Sequence, residues 1–167
     1  MMFTSVEYVM NGVALDWADV LWAYTGGFIG WRMPIDIANF RLDRGLLEND
    51  LEIELAAVGK DNDFMVRQLL EELARGDCQS EERSMRKWLF LAVKRAYENR
   101  DLMSDPYAVI DEIYADFGYP DEIRHLTTFM PAADNYVPHL YTAEENRIHA
   151  LRNWPAYLEN APNTFAE

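Results

Sequence analysis

The residues with the clearest chemical potential are seven carboxylates between positions 101 and 122, with no lysine or arginine among them. The seven are Asp101, Asp105, Asp111, Glu112, Asp116, Asp121 and Glu122. Like charges at helical spacing cost a few tenths of a kcal/mol per pair. Such a cluster can aid solubility alone, or it can steer and hold a basic partner. A metal site is a weaker alternative, because the spacing does not match an oxygen-ligand loop.

No other residues form a recognisable catalytic pattern. Asp121 and Glu122 are adjacent, and adjacent helical side chains diverge by about 100°, so the two cannot converge on one atom. Three histidines (His125, His139 and His149) lie far apart without paired cysteines, which favours structural roles over zinc. Phosphate-binding and dinucleotide-binding glycine motifs are absent. We therefore expect no catalysis, no cofactor, no metal and no small-molecule substrate.

The overall charge excludes several classes of partner. The 167 residues include 29 acids and 15 bases, for a formal net charge of −14. Proteins that bind nucleic acid or anionic lipid need a basic surface, so both partners are disfavoured. Eight of the bases fall between residues 64 and 100. We interpret these bases as partners of neighbouring acidic helices and keep an anion site as the alternative.

The location of the protein is predicted from features that the sequence lacks. Cys78 is the single cysteine, so no intramolecular disulfide can form, as is typical of a reducing cytosol. The first 15 residues contain no lysine or arginine, so we expect no secretory signal. The longest fully apolar run, Trp88–Val93, is far shorter than the ~20 residues of a membrane span. We predict a cytoplasmic protein.

Helix signals cover most of the chain. The predicted helices begin near Asp16, Pro34, Glu48, Asp61, Ser80, Asp105, Pro120, Thr142 and Pro155, and glycines end many of them. In the helix from Glu48 to Val58 we expect Leu51 and Leu55 to be buried and Glu52 to face solvent. Thr4–Val13 is the one candidate strand, and Pro131–Tyr141 is expected to be a loop.

These signals predict an all-α fold. We expect a single domain over residues 1–167, made of about seven to nine short helices. A central apolar helix over about residues 80–99 should organise it, because its apolar surface is wide enough to pack on several sides. The last few residues should be frayed.

Several segments resemble an uncharacterised bacterial family, catalogued as domain of unknown function 2247. The matching segments are Ile113–Ile123, Met130–Pro131, Trp88–Phe90 and Tyr141–Leu158, with a weaker match at Leu15–Val20. Together they cover most of the chain from about residue 45 onward. These motifs consist mostly of helix caps, helix stops and core residues, so the resemblance implies a fold and supplies no catalytic residues.

The resemblance also implies a biological context. Small acidic helical proteins of this kind often accompany polymorphic or contact-dependent toxins and act as immunity proteins. We therefore expect binding of a cognate toxin domain, of a basic nuclease type, without catalysis. The expected contacts are Asp105, Asp111, Glu112, Asp116, Asp121 and Glu122. The alternative is a helical adaptor or regulatory scaffold whose protein partner is unrelated to toxins.

Overall fold

Local capping and apolar stripes determine where the helices lie. A computed structural model describes residues 1–78, 80–128 and 134–165. Within them the α-helices are α1 (Val6–Gly12), α2 (Trp17–Thr25), α3 (Arg32–Asp43), α4 (Asp50–Ala56), α5 (Phe64–Ala74), α6 (Glu81–Glu98), α7 (Pro106–Asp116), α8 (Ala143–Leu151) and α9 (Trp154–Asn160). Short 3-10 helices lie at Lys60–Asn62, Arg100–Leu102, Asp121–Leu126, Pro138–Leu140 and Ala161–Thr164. The described residues contain no strand, and the all-α prediction is confirmed.

The helix α6 is the longest of those described. Ser80 caps it, since its Oγ accepts a hydrogen bond from the Arg83 N–H at 3.2 Å. Residues 87–93 are all buried, so α6 is enclosed around its whole circumference over two turns. This confirms the predicted apolar helix. The chain divides within α6 into two compact units, Met1–Trp88 and Leu89–Glu167. A single domain stays a prediction.

The first unit is built on the packing of α2 against α5 and of α3 against α4. A capping box holds the start of α2, where Asp16 accepts from the Asp19 N–H and Asp19 accepts from the Asp16 N–H, both at 3.0 Å. Leu55 and Leu70 are among its fully buried side chains.

The second unit contains α7, α8 and α9 after the end of α6. Asp105 caps α7 and Pro106 occupies its first turn, as the sequence predicts. Thr142 and Glu145 form the predicted capping box of α8. The helix α7 packs against α8 and against the 3-10 helix Asp121–Leu126.

Two sequence predictions are wrong, and one predicted helix is shorter and of a different type. The candidate strand Thr4–Val13 is helix α1, because Ser5 accepts a hydrogen bond from the Tyr8 N–H and so starts a helix. The helix expected from Pro120 is a six-residue 3-10 helix. Glu52 is buried, at 1% exposure, because the Trp17 indole and Arg41 satisfy its carboxylate.

Other boundaries differ by a few residues, and some predictions fall outside the described residues. Two predicted starts, at Pro34 and Asp61, lie within three residues of the starts of α3 and α5. The expected loop contains the 3-10 helix Pro138–Leu140, and its first three residues are outside the described part of the chain. The same is true of Met130 in the family motif and of the final two residues.

Candidate functional site: an acidic surface on helix α7

The helix α7 is amphipathic. Ile110, Ile113 and Tyr114 are buried along one side. On the other side, Glu112 and Asp116 are exposed and lie one turn apart, so both carboxylates point to the same face. We call this pair the α7 acidic face. The fold thus positions two like charges side by side at the surface.

The carboxylates of the α7 acidic face are solvated and serve no cap. Within residues 1–78, 80–128 and 134–165, neither Glu112 nor Asp116 makes a hydrogen bond or an ion pair. Asp116 is also the last residue of α7, and the last turn contains no base. Helix C-termini carry partial negative charge and favour cations, so a carboxylate there costs some stability. Folding therefore does not account for this pair.

Two of the predicted contact residues, Asp105 and Asp111, have structural roles. Asp105 accepts hydrogen bonds from the backbone N–H groups of Tyr107 (3.0 Å) and Ala108 (3.2 Å) at the start of α7. Asp111 accepts from the N–H of Thr128 at 2.9 Å and from its hydroxyl. These carboxylates hold the two ends of the segment that carries the α7 acidic face.

The other two predicted contact residues lie in the 3-10 helix after α7. Asp121 is almost fully solvated, and Arg124 Nη1 is 3.7 Å from its Oδ1. An exposed pair of this kind contributes little to stability. Glu122 is half-buried, and its charge adds to burial in raising the pKa of Tyr157. The structure therefore places these two carboxylates near the end of α7 in different environments.

Tyr119, which the sequence analysis overlooked, is an exposed aromatic residue at the same end of α7. The N–H of Tyr119 donates to the Tyr114 carbonyl at 2.8 Å, and that of Gly118 donates to Ala115 at 3.1 Å, which together form a Schellman motif. The Tyr119 ring packs edge-on against the Tyr114 ring with 5.2 Å between centroids. Even so, the Tyr119 side chain is 60% exposed.

The backbone of Tyr119 is also unusual. Its φ is +64°, in the left-handed region that bulky residues rarely adopt. A residue that precedes a proline normally prefers extended backbone, which makes this conformation less expected still. Strain of this kind persists where the surrounding structure enforces it, and it is concentrated at functional sites. The only sequence signal was a tyrosine between the helix-ending Gly118 and Pro120.

A second chemically notable cluster surrounds His149 on α8. Its Nδ1 lies 2.7 Å from the Tyr107 hydroxyl, and its Nε2 lies 2.8 Å from Asp134 Oδ2. The Tyr136 ring stacks on the imidazole with 3.5 Å between centroids. With Nε2–H donating to the carboxylate, Nδ1 is the acceptor for the Tyr107 O–H.

The pKa values of Tyr107 and Asp134, the two residues hydrogen-bonded to His149, are both shifted away from neutral pH. Burial, reinforced by nearby carboxylates, raises the pKa of Tyr107 to about 12, so its hydroxyl stays protonated. The hydrogen bond from His149 lowers the pKa of Asp134, so its carboxylate stays charged. We interpret the cluster as a latch that fastens residues 134–136 to α7 and α8.

Four bases of α6 pair with carboxylates. Lys87 Nζ lies 2.5 Å from an Asp19 carboxylate oxygen, and Arg83 pairs with Asp16. Both aspartates lie at the start of α2. Within α6, Arg86 pairs with Glu82 one turn earlier, and Lys94 pairs with Glu98 one turn later. These pairs support the interpretation that the basic residues neutralise neighbouring acids.

No three metal-binding side chains come together in the described part of the chain. None of the helices there combines the length and apolar character of a membrane span. The model of a family described as "uncharacterized protein conserved in bacteria (DUF2247)" matches residues 6–161. No curated protein and no solved structure matches the chain.

Proposed function

The chain belongs to this bacterial family, and on that premise we propose that it is an immunity protein that binds and neutralises a basic toxin domain without catalysis. One observation carries the proposal: Glu112 and Asp116 lie exposed on one face of α7 without partners among the described residues, whereas Asp105 and Asp111 accept hydrogen bonds from backbone N–H groups. These like charges slightly destabilise the fold. Binding of a cationic partner accounts for their presence.

The chemistry of a nuclease toxin suits such a surface. A domain that binds nucleic acid carries lysine and arginine side chains, which displace the counterions of the phosphate backbone. Exposed carboxylates present oxygens of similar charge to those side chains. They also raise the association rate by long-range attraction, which benefits an inhibitor that must act quickly.

Tyr119 supplies a second component of such an interface. Tyrosine is enriched among the few residues that dominate binding energy, because it buries a large rigid ring at low entropic cost. At the end of α7 the ring lies three residues beyond Asp116, and Asp121 follows two residues later. An aromatic residue near carboxylates is the composition expected for an interface with a basic protein.

The proposal is tested by co-expression with the product of the adjacent gene. We expect the gene product alone to arrest growth, the chain to restore growth, and the two proteins to copurify in a fixed ratio. A non-toxic copurifying partner contradicts the immunity role and favours the adaptor alternative. Failure of rescue by the folded protein contradicts it as well.

Charge reversal locates the interface. The double variant Glu112→Lys and Asp116→Lys should lose rescue. The matched control is Asp50→Lys with Glu54→Lys on α4, which are also exposed and one turn apart. Both variants change net charge equally, so loss of rescue in both would show that overall charge matters and not the α7 acidic face.

A further inference from the structure

An exposed turn in the second unit presents apolar side chains to solvent. Residues 137–141 include the 3-10 helix Pro138–Leu140, and all five of them are exposed. Leu140 is 68% exposed, Tyr141 47% and Val137 36%. Single apolar residues are common on protein surfaces, but three of them in a five-residue segment form a patch, and apolar patches mark contact sites. We call residues 137–141 the apolar turn.

Hydrogen bonds hold the apolar turn in one conformation although it is exposed. The Leu140 N–H donates to the Val137 carbonyl at 3.0 Å, which closes the turn and brings these two apolar residues together. The Tyr141 N–H donates to the Pro138 carbonyl at 3.2 Å, and Asn146 Nδ2 on α8 donates to the same carbonyl at 3.0 Å. A turn that is ordered before binding loses little conformational entropy when a partner covers it.

A stack of three aromatic rings anchors the apolar turn to α8. The Tyr141 ring is parallel to the Tyr136 ring with 4.5 Å between centroids, and Tyr136 stacks on His149 with 3.5 Å between centroids. Two rings at such distances cannot share one face of Tyr136, so they lie on its opposite faces. The Tyr136 hydroxyl also donates to Asn146 Oδ1 at 2.9 Å. The latch at His149 therefore supports the turn from below, while Tyr141 lies at the outer end of the stack.

The residues on either side of the apolar turn are acidic. Residues 125–146 contain no lysine or arginine, whereas Asp134 precedes the turn and Glu144 and Glu145 follow it. Glu144 is exposed, and its side chain makes no hydrogen bond or ion pair with the residues that the structure describes. The turn thus has an apolar centre and an acidic rim.

The electrostatics at Tyr136 agree with the sign of this rim. Burial raises the pKa of the Tyr136 hydroxyl, and the charges of Glu145 and Asp134 raise it further, whereas that of Arg152 lowers it. Two carboxylates therefore oppose one base around the aromatic stack. A basic surface complements such a rim.

We propose that the apolar turn inserts into an apolar cleft of the proposed toxin partner, with Leu140 at its centre and the acidic rim against basic residues around that cleft. This inference rests on the proposed function and deepens it, because it adds an apolar contact to the charged contact of the α7 acidic face. An apolar centre within a polar rim is the arrangement that concentrates binding energy at protein interfaces. A second copy of the chain is a poorer occupant, because its net charge of −14 and its own acidic rim repel this surface.

Calorimetric titration of the full chain with the product of the adjacent gene tests the proposal. Leu140→Ser should lower the affinity about tenfold or more, because a leucine side chain that becomes buried contributes at least that factor. Its midpoint of urea unfolding should stay unchanged, since the side chain is exposed in the free protein. Leu140→Met keeps an apolar side chain of similar volume and should bind within about threefold of the unchanged chain.

Leu102→Ser is the matched control. Leu102 is also the last residue of a 3-10 helix in the second unit, and it is 86% exposed. It lies outside the apolar turn, so this variant should bind like the unchanged chain.

Salt separates this contact from that of the α7 acidic face. The loss of affinity in Leu140→Ser should persist at about 0.5 M salt, because salt does not screen an apolar contact. The loss in the Glu112→Lys and Asp116→Lys double variant should shrink under the same conditions, because it arises from exposed charges.

Two titration results would overturn this inference and leave the proposed function in place. One is an affinity of Leu140→Ser equal to that of the unchanged chain, and the other is an equal loss in Leu102→Ser. Sedimentation of the chain alone gives a third: self-association that Leu140→Ser abolishes would assign the apolar turn to a second copy. A gene product that does not bind the unchanged chain contradicts the proposed function and this inference together.

Discussion

The first unit and α7 use carboxylates in opposite ways. In the first unit, Asp19 is fully buried and accepts hydrogen bonds from Ser84 Oγ at 2.8 Å and Lys87 Nζ at 2.5 Å. Glu52 is also buried, with the Trp17 indole nitrogen at 2.7 Å and Arg41 Nη2 at 3.0 Å. On α7, Glu112 and Asp116 are exposed and without partners among the described residues.

This difference separates charges that folding needs from charges that it merely tolerates. A buried carboxylate survives only if its partners compensate for lost solvation, so removing it leaves other buried groups unsatisfied. An exposed pair of like charges gives the fold nothing and slightly opposes it. A net charge of −14 therefore describes two populations of acids with different roles.

The largest effect on stability should follow from removing a buried carboxylate of the first unit. Asp19→Ala leaves Lys87 buried without its counter-charge and Ser84 without its acceptor. We expect the free energy of unfolding to fall by about 3–5 kcal/mol, as when one member of a buried ion pair is removed. Urea unfolding followed by circular dichroism measures it. Glu112→Ala is the control and should change the free energy of unfolding by less than about 0.5 kcal/mol. A similar loss in both variants would contradict the distinction between carboxylates that the fold needs and carboxylates that it does not.

A smaller effect on binding should come from Tyr119. Tyr119→Gly removes the exposed ring and allows the left-handed backbone without strain. We expect affinity for the proposed toxin partner to fall at least tenfold, or about 1.4 kcal/mol. Relief of strain and loss of the contact with Tyr114 oppose each other, so stability should change by less than about 1 kcal/mol. Calorimetry and urea unfolding measure the two quantities. A large loss of stability with affinity unchanged would assign Tyr119 a purely structural role.

The smallest effect concerns the latch at His149 and depends on pH. The folded pKa of Asp134 lies below its ordinary value of 3.8, because His149 donates a hydrogen bond to the carboxylate. The stability it contributes is thus complete above pH 3.8 and is lost as the pH falls through the folded pKa. The gap in unfolding free energy between the unchanged protein and Asp134→Asn should narrow on acidification below pH 3.8. A gap that widens there would contradict the assigned hydrogen bond.

Local signals predicted much of the fold. Asp16, Asp105 and Thr142 were recognisable as caps, since a cap and the N–H groups it binds lie within three residues of each other. The apolar run in α6 was recognisable from composition alone. By contrast, Ser5 was overlooked as a cap because the residues after it also suit a strand.

The site was less predictable because the role of each carboxylate depends on tertiary contacts. The sequence placed six carboxylates together, but only packing shows that Asp111 binds Thr128 while Glu112 does not. Glu52 alternates with exposed acids along α4, and its burial depends on Trp17 and Arg41, which are distant in sequence. The Schellman motif requires a left-handed backbone at Gly118 only, so the positive φ of the next residue, Tyr119, follows neither from that motif nor from the tyrosine itself.

The most direct test of the central claim is the rate of association with the proposed toxin partner, measured as a function of salt concentration. We predict a rate constant that falls steeply as ionic strength rises, because exposed charges steer encounter. The Glu112→Lys and Asp116→Lys double variant should associate at least tenfold more slowly at low salt, and its rate constant should depend less on salt concentration. The Asp50→Lys and Glu54→Lys control should retain most of the association rate and most of its salt dependence. Equal losses in the two variants, or a double variant on α7 that associates normally, would contradict the claim that the α7 acidic face receives the partner.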